Sequence, residues 1–98
     1  MKLFIEKKHF DIINNILSKT TYKFYAFGSR VKGTQRPYSD LDLCYMEDIP
    51  DSFIVKIEGE LEDSDLPFKV DFVNFKKCSQ DFQNLIHKEL ILWDGKLS

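Results

Sequence analysis

Three acidic side chains carry the clearest chemical signal in this sequence. Asp40 and Asp42 stand two residues apart at the start of an apolar run, and Asp71 lies inside a later apolar run. Side chains two apart on a strand point to the same face, so the first two carboxylates should converge. Carboxylate oxygens are the hard ligands that Mg²⁺ prefers, and two such ions can share a bridging phosphate.

An Asp-x-Asp pattern is a weak signal by itself, because acidic residues also cap loops and decorate the edges of sheets. Asp71 strengthens it, since a third carboxylate on the next strand could complete a metal-ligand set. The hypothesis from these residues is a divalent metal site formed by Asp40, Asp42 and Asp71. The alternative is a solvated edge strand with no ligand.

A Gly-Ser turn shortly precedes the acidic pair. Gly28 allows close approach of the backbone to a ligand, and Ser29 offers a hydroxyl and an N–H. If Ser29 begins a helical turn, its free N–H groups form an anion site. Arg30, Lys32 and Arg36 could each reach the oxygens of a triphosphate. The alternative is an ordinary strand-to-helix turn, but its combination with the acidic residues points to a nucleoside triphosphate.

The elements that must position these residues follow from hydrophobic periodicity and turn residues. Helices are expected over residues 6–19, from about Pro50 to 62, and from an N-cap at Ser79 to about 88, with one helical turn over 29–32. Strands are expected over 22–27, 40–46, 68–75 and 90–93. This order predicts an α/β (α+β) fold, a small mixed β-sheet with helices packed against it.

The last expected helix is amphipathic. Its apolar residues recur at helical spacing, which predicts that they face inward: Phe82, Leu85 and Ile86.

Length and composition favour one folded domain over residues 1–98, with 43% hydrophobic and 31% charged residues. The net charge of −2, from 14 basic and 16 acidic side chains, argues against a general nucleic-acid binder, although a nucleic-acid end could still be an acceptor. Cys44 and Cys78 form neither a metal motif nor a disulfide framework. We expect a cytoplasmic protein with reduced thiols, because neither a membrane span nor a signal peptide is evident.

Taken together, these motifs resemble the minimal nucleotidyltransferases, small members of the DNA polymerase β-like nucleotidyltransferase superfamily. The resemblance rests on three segments: Gly28-Ser29-Arg30-Val31-Lys32-Gly33, Ser39-Asp40-Leu41-Asp42-Leu43 and Val70-Asp71-Phe72-Val73. It implies a polymerase β palm-like fold and triphosphate binding by Gly28 and Ser29. It also implies Mg²⁺ binding by Asp40 and Asp42, with Asp71 completing the carboxylate triad.

The resemblance further implies transfer of a nucleoside monophosphate from a nucleoside triphosphate to a hydroxyl, with release of pyrophosphate. The first choice is AMP from ATP, and the reaction would use two Mg²⁺ ions. Minimal members are often encoded beside a small helical protein of the HEPN type, and some act as antitoxins that adenylylate a tyrosine of that toxin. The alternative is an antitoxin-like interaction subunit that neutralises a HEPN-type toxin by binding, with weak or no catalysis. One departure is Glu89-Leu90, where many relatives read Glu-Gly before the final strand.

Overall fold

The computed structural model describes the whole chain, Met1–Ser98, and its elements follow the predicted order. The helices are α1 Lys7–Leu17, α2 Ser29–Lys32, α3 Asp51–Glu62 and α4 Gln80–His87, with a 3₁₀ turn at Phe75–Lys77 before α4. The strands are β1 Tyr25–Phe27, β2 Leu41–Tyr45, β3 Val70–Asn74 and β4 Ile91–Leu92. The predicted α/β class with a small mixed sheet is confirmed.

The sheet has the strand order β3-β2-β1-β4. β1 runs antiparallel to both β2 and β4, whereas β2 and β3 run parallel. Parallel neighbours cannot be joined by a tight turn, so α3 provides the crossover between them. The parallel register aligns Leu41 with Val70, Asp42 with Asp71, and Leu43 with Phe72.

One face of the sheet forms the main core against α1 and α3. Leu41 and Leu43 of β2 are fully buried in a cluster of 14 residues. The helices contribute a stripe of apolar residues to the same cluster: Ile13, Leu17, Ile54, Ile57 and Leu61. Because side chains alternate along a strand, this packing sends Asp42 to the opposite face of the sheet.

The opposite face carries a smaller apolar cluster under α4, formed by Phe27, Cys44 and Ile86. We expected Phe82, Leu85 and Ile86 all to point inward, and of these only Ile86 is buried. Phe82 makes an edge contact with Phe27 but stays 36% exposed, and Leu85 is 71% exposed. The prediction was wrong for Leu85, because α4 has only this small cluster beneath it to pack against.

Local features explain where the elements begin and end. The Ser79 side chain accepts a hydrogen bond from the Phe82 N–H at 3.2 Å, which confirms the predicted N-cap of α4. Gly33 ends α2 in the left-handed conformation, with φ of 80°. Cys44 and Cys78 are both free thiols. None of the helices has the length and apolar character that a membrane crossing requires.

Candidate active site

The pairing of β2 with β3 brings the three predicted carboxylates together. Asp42 and Asp71 are direct partners in the parallel register, so their side chains leave the same face of the sheet. Asp40 precedes β2 by one residue, and its carboxylate lies within hydrogen-bonding reach of Asp71. The three residues, which we call the acidic cluster, therefore lie at one end of two neighbouring strands.

The electrostatics of the acidic cluster show an excess of negative charge. Partial burial raises the pKa of Asp42 from its ordinary value to about 6, and the charges of Asp71 and Asp40 add to the shift. Glu89 contributes in the same direction, and Lys32 opposes it. The pKa of Asp71 is also raised, first by loss of hydration and then by its hydrogen bond with Asp40 and the charge of Asp40.

The donor set of the acidic cluster is chemically suited to a hard divalent cation, because it consists of carboxylate oxygens. No three acidic, histidine or cysteine side chains already stand at metal-ligand spacing. Asp42 is held within β2, whereas Asp40 and Asp71 are exposed side chains that can turn. The residues therefore fit a metal ion that draws the carboxylates together, without forming a closed cage beforehand.

The Gly-Ser turn lies against this cluster. Gly28 joins β1 to α2 with φ of 86° and ψ of −157°, a conformation that favours glycine. A Cβ at this position would lie 3.3 Å from Cγ of Asp42 and closer still to its carboxylate oxygen. Both the backbone and the neighbouring carboxylate thus require glycine here.

The start of α2 offers hydrogen-bond donors beside the acidic cluster. The Gly28 carbonyl accepts from the N–H groups of Val31 and Lys32, at 3.0 and 3.1 Å. The N–H groups of Ser29 and Arg30 precede these and have no carbonyl within the helix to bond. Donors suited to an anion therefore begin one residue after the glycine that contacts Asp42.

The side chain of Arg30 has a different location from the one expected of a phosphate ligand. It is 5% exposed and donates to the carbonyls of Ser39, Phe4 and Pro37, at 3.0, 3.0 and 3.3 Å. Its guanidinium also lies 4.1 Å from the centre of the Phe68 ring. Arg30 fastens the N-terminal segment and the loop before β2, so it is not included in the phosphate site proposed below.

Lys32 and Glu89 frame the other side of the turn. Lys32 Nζ is half-exposed and lies 3.8 Å from Oε2 of Glu89. Oε1 of Glu89 accepts a hydrogen bond from the Gly28 N–H at 2.8 Å. In the sequence Glu89 drew notice only because Leu90 follows it where many relatives have glycine, and the antiparallel register of β4 with β1 is the signal that locates it.

A groove of about 500 Å³ opens beside the exposed edge of the acidic cluster. Asp40 and Asp71 form one end of it. Its lining is mixed, because Glu58, Glu62 and Lys69 stand beside Tyr38 and a set of apolar residues: Leu61, Leu66, Pro67, Phe68 and Val70. The groove leaves room for a second molecule next to the carboxylates.

Comparison with known proteins agrees with this geometry. The protein family described as "Polymerase beta, Nucleotidyltransferase" matches residues 11–94. The chain belongs to the polymerase β nucleotidyltransferase family. The predicted family is thereby confirmed, and the protein is a nucleotidyltransferase of the minimal type.

A curated relative extends the comparison. The "Probable protein adenylyltransferase MntA" of Haemophilus influenzae is 35% identical over 99 residues, which cover 97% of this chain and 87% of the relative. Membership of this nucleotidyltransferase family implies a nucleoside triphosphate as substrate and a divalent metal ion as cofactor. The roles of individual residues stay predictions.

Proposed function

We propose that this protein is a Mg²⁺-dependent nucleotidyltransferase that moves AMP from ATP to a hydroxyl group and releases pyrophosphate. The observation that carries the proposal is the direct pairing of Asp42 with Asp71 beside the Gly28-Ser29 turn. The choice of AMP follows the relative, which is named as a protein adenylyltransferase.

Asp40, Asp42 and Asp71 are the residues that would hold the metal. When bound, Mg²⁺ supplies charge neutralisation and orientation of the phosphate oxygens. The N–H and hydroxyl of Ser29 bind triphosphate oxygens, and Gly28 keeps that part of the turn free of any side chain. Lys32 adds a positive charge at the same end of the site.

The transfer step follows from this arrangement. The acceptor oxygen forms a bond to the α-phosphorus while the bond from that phosphorus to the β-phosphate bridging oxygen breaks. Asp71 takes the proton from the acceptor hydroxyl, because its exposed carboxylate lines the groove and its pKa is raised. Pyrophosphate leaves with the electron pair of the broken bond.

The groove beside Asp71 supports a hydroxyl acceptor that arrives from a second molecule, and its mixture of apolar and charged residues suits a protein side chain. We propose a small helical HEPN-type protein as that partner. Apolar side chains left exposed on α4 and β4 support contact with another protein: Phe82, Leu85 and Leu92.

The test is incubation of the protein with α-labelled ATP and Mg²⁺, with and without a HEPN-type protein from the same genome. We expect release of pyrophosphate together with transfer of label to that protein. Asp42→Asn should lower the rate about a thousandfold or more, because it removes a carboxylate that acts on developing charge. Asp65→Asn is the matched control, since a second Asp-x-Asp segment, Asp63-Ser64-Asp65, lies outside the strands and the Asp65 carboxylate is exposed.

Full turnover by a folded Asp42→Asn protein would refute the assignment of the site. Tight binding of the HEPN-type protein without any transfer of label would instead support an antitoxin-like interaction subunit.

A further inference from the structure

Glu89 is an acidic residue beside the proposed site that the transfer step does not use. It follows α4 and precedes β4, whose antiparallel register pairs Ala26 with Ile91 and Tyr25 with Leu92. Continued by two residues, that register places Glu89 opposite Gly28. The residue therefore reaches the Gly-Ser turn through sheet pairing, although the two lie far apart in sequence.

The carboxylate of Glu89 makes two contacts there. Oε1 accepts from the Gly28 N–H at 2.8 Å, and Oε2 lies 3.8 Å from Nζ of Lys32. The side chain is only 19% exposed. A largely buried carboxylate close to that of Asp42 is unfavourable unless its contacts compensate for the lost hydration.

These contacts complete the restraints on Gly28. Its carbonyl is held by the first turn of α2, and the space at its Cα is filled by the Asp42 carboxylate. Its N–H is held by Glu89. With all three fixed, the peptide that leads into Ser29 has one orientation, and the free donors at the start of α2 point in a fixed direction.

We propose that Glu89 is a positioning residue for the nucleotide, holding the Gly28-Ser29 turn and Lys32 in the arrangement that receives the triphosphate. This inference rests on the proposed function, because it assigns the turn and Lys32 to phosphate binding. Glu89 itself does not contact the substrate. The competing view is that its carboxylate occupies an anion position that a phosphate must take over.

The test measures the Kd of ATP in the presence of Mg²⁺ by calorimetry, and KM and kcat in parallel. Glu89→Ala should raise Kd and KM about tenfold, since a charged hydrogen bond that orders the turn is lost. KM should change more than kcat. Glu89→Gln should stay within about fivefold of the wild type, because its amide oxygen can still accept from the Gly28 N–H and only an ion pair is lost.

Two further variants separate positioning from stability. Glu47→Ala is the matched control, since Oε1 of Glu47 accepts from the Lys23 N–H at 2.7 Å. It removes the same kind of bond at the other end of β1, and should leave Kd unchanged while it lowers the melting temperature. Glu89→Asp withdraws the carboxylate while keeping its charge, so it should weaken ATP binding even if Glu89→Ala fails to fold.

An unchanged Kd in folded Glu89→Asp and Glu89→Ala would overturn the inference while leaving the proposed function standing. Tighter ATP binding on removal of the carboxylate would also overturn it, in favour of the competing view. A wild-type protein that neither binds nor turns over ATP would overturn the proposed function itself.

Discussion

The two faces of β2 differ in what they contribute to the molecule. Leu41 and Leu43 are fully buried in the main core, and the residues between and before them, Asp42 and Asp40, form the acidic cluster. One face lowers the free energy of the folded state by burying apolar surface. The other face gathers like charges, which raises that free energy. At the start of β2, alternation thus separates the residues that stabilise the fold from the residues available for chemistry.

The same division recurs on α2. Arg30 is buried and binds three backbone carbonyls, whereas Lys32 is half-exposed at the edge of the proposed site. Both are basic and lie two residues apart, so charge alone does not separate their roles. Their burial and their hydrogen-bond partners separate the two roles. Three tests can check this division between residues that stabilise the fold and residues that form the site.

The largest expected loss of stability comes from the core face. Leu43→Ala should lower the free energy of unfolding by about 3 kcal/mol, because it removes a fully buried side chain and leaves a cavity. Urea unfolding measures the change. ATP turnover per folded molecule should be largely retained at low temperature. A folded Leu43→Ala protein without activity would break the separation between the two faces of β2.

A smaller effect should distinguish Arg30 from Lys32. Arg30→Met should lower the free energy of unfolding by about 2 kcal/mol, since three carbonyls lose their donor near the surface. Lys32→Met should change stability little, because its ion pair is exposed. It should instead raise KM for ATP. The reverse pattern in thermal melting and kinetics would place Arg30 at the phosphate after all.

The smallest effect is a pH dependence of stability on the acidic face. The pKa of Asp42 is raised to about 6 in the folded protein, so the folded state binds a proton more tightly than the unfolded chain. Its charged form therefore destabilises the metal-free fold above pH 6, and this penalty disappears as the pH falls through the window from about 6 to 4. After allowance for solvent screening the penalty is about 1 kcal/mol.

Asp42→Asn removes this titration. Without metal, the variant should be more stable than the wild type at pH 7.5 by that amount, and the difference should vanish near pH 4. Denaturant midpoints across this range provide the measurement. Added Mg²⁺ should close the difference at pH 7.5 by stabilising the wild type alone. A difference that stays constant with pH would show that Asp42 is not desolvated as described.

The sequence was sufficient for those parts of the structure that depend on local patterns. Periodicity and turn residues predicted every α-helix and strand in order, although all four strands are shorter than expected. β3 ends at Asn74 because Phe75 begins a 3₁₀ turn. The acidic cluster could be anticipated because strand alternation puts Asp40 and Asp42 on one face, and the register with β3 then supplied Asp71.

Features that depend on distant neighbours were beyond the reach of those patterns. A basic residue after a Gly-Ser turn looks like a phosphate ligand, but Arg30 donates its hydrogen bonds to carbonyls of Phe4 and Ser39, in the chain segments before and after it. Leu85 fits an inward-facing helical stripe, yet the small cluster under α4 does not reach it. Glu89 meets Gly28 only through the pairing of β4 with β1.

The parallel pairing of β2 with β3 also bears on how the protein folds. Asp42 and Asp71 meet only after the whole α3 crossover has closed. Closing a segment of that length costs chain entropy before the contacts between β2 and β3 can offset it. A slip of one residue would turn Asp71 towards the core and Val70 towards solvent, which the apolar partners of β2 oppose. Affinity for nucleotide should consequently appear late during refolding. Its appearance would mark the formation of the parallel contact between β2 and β3.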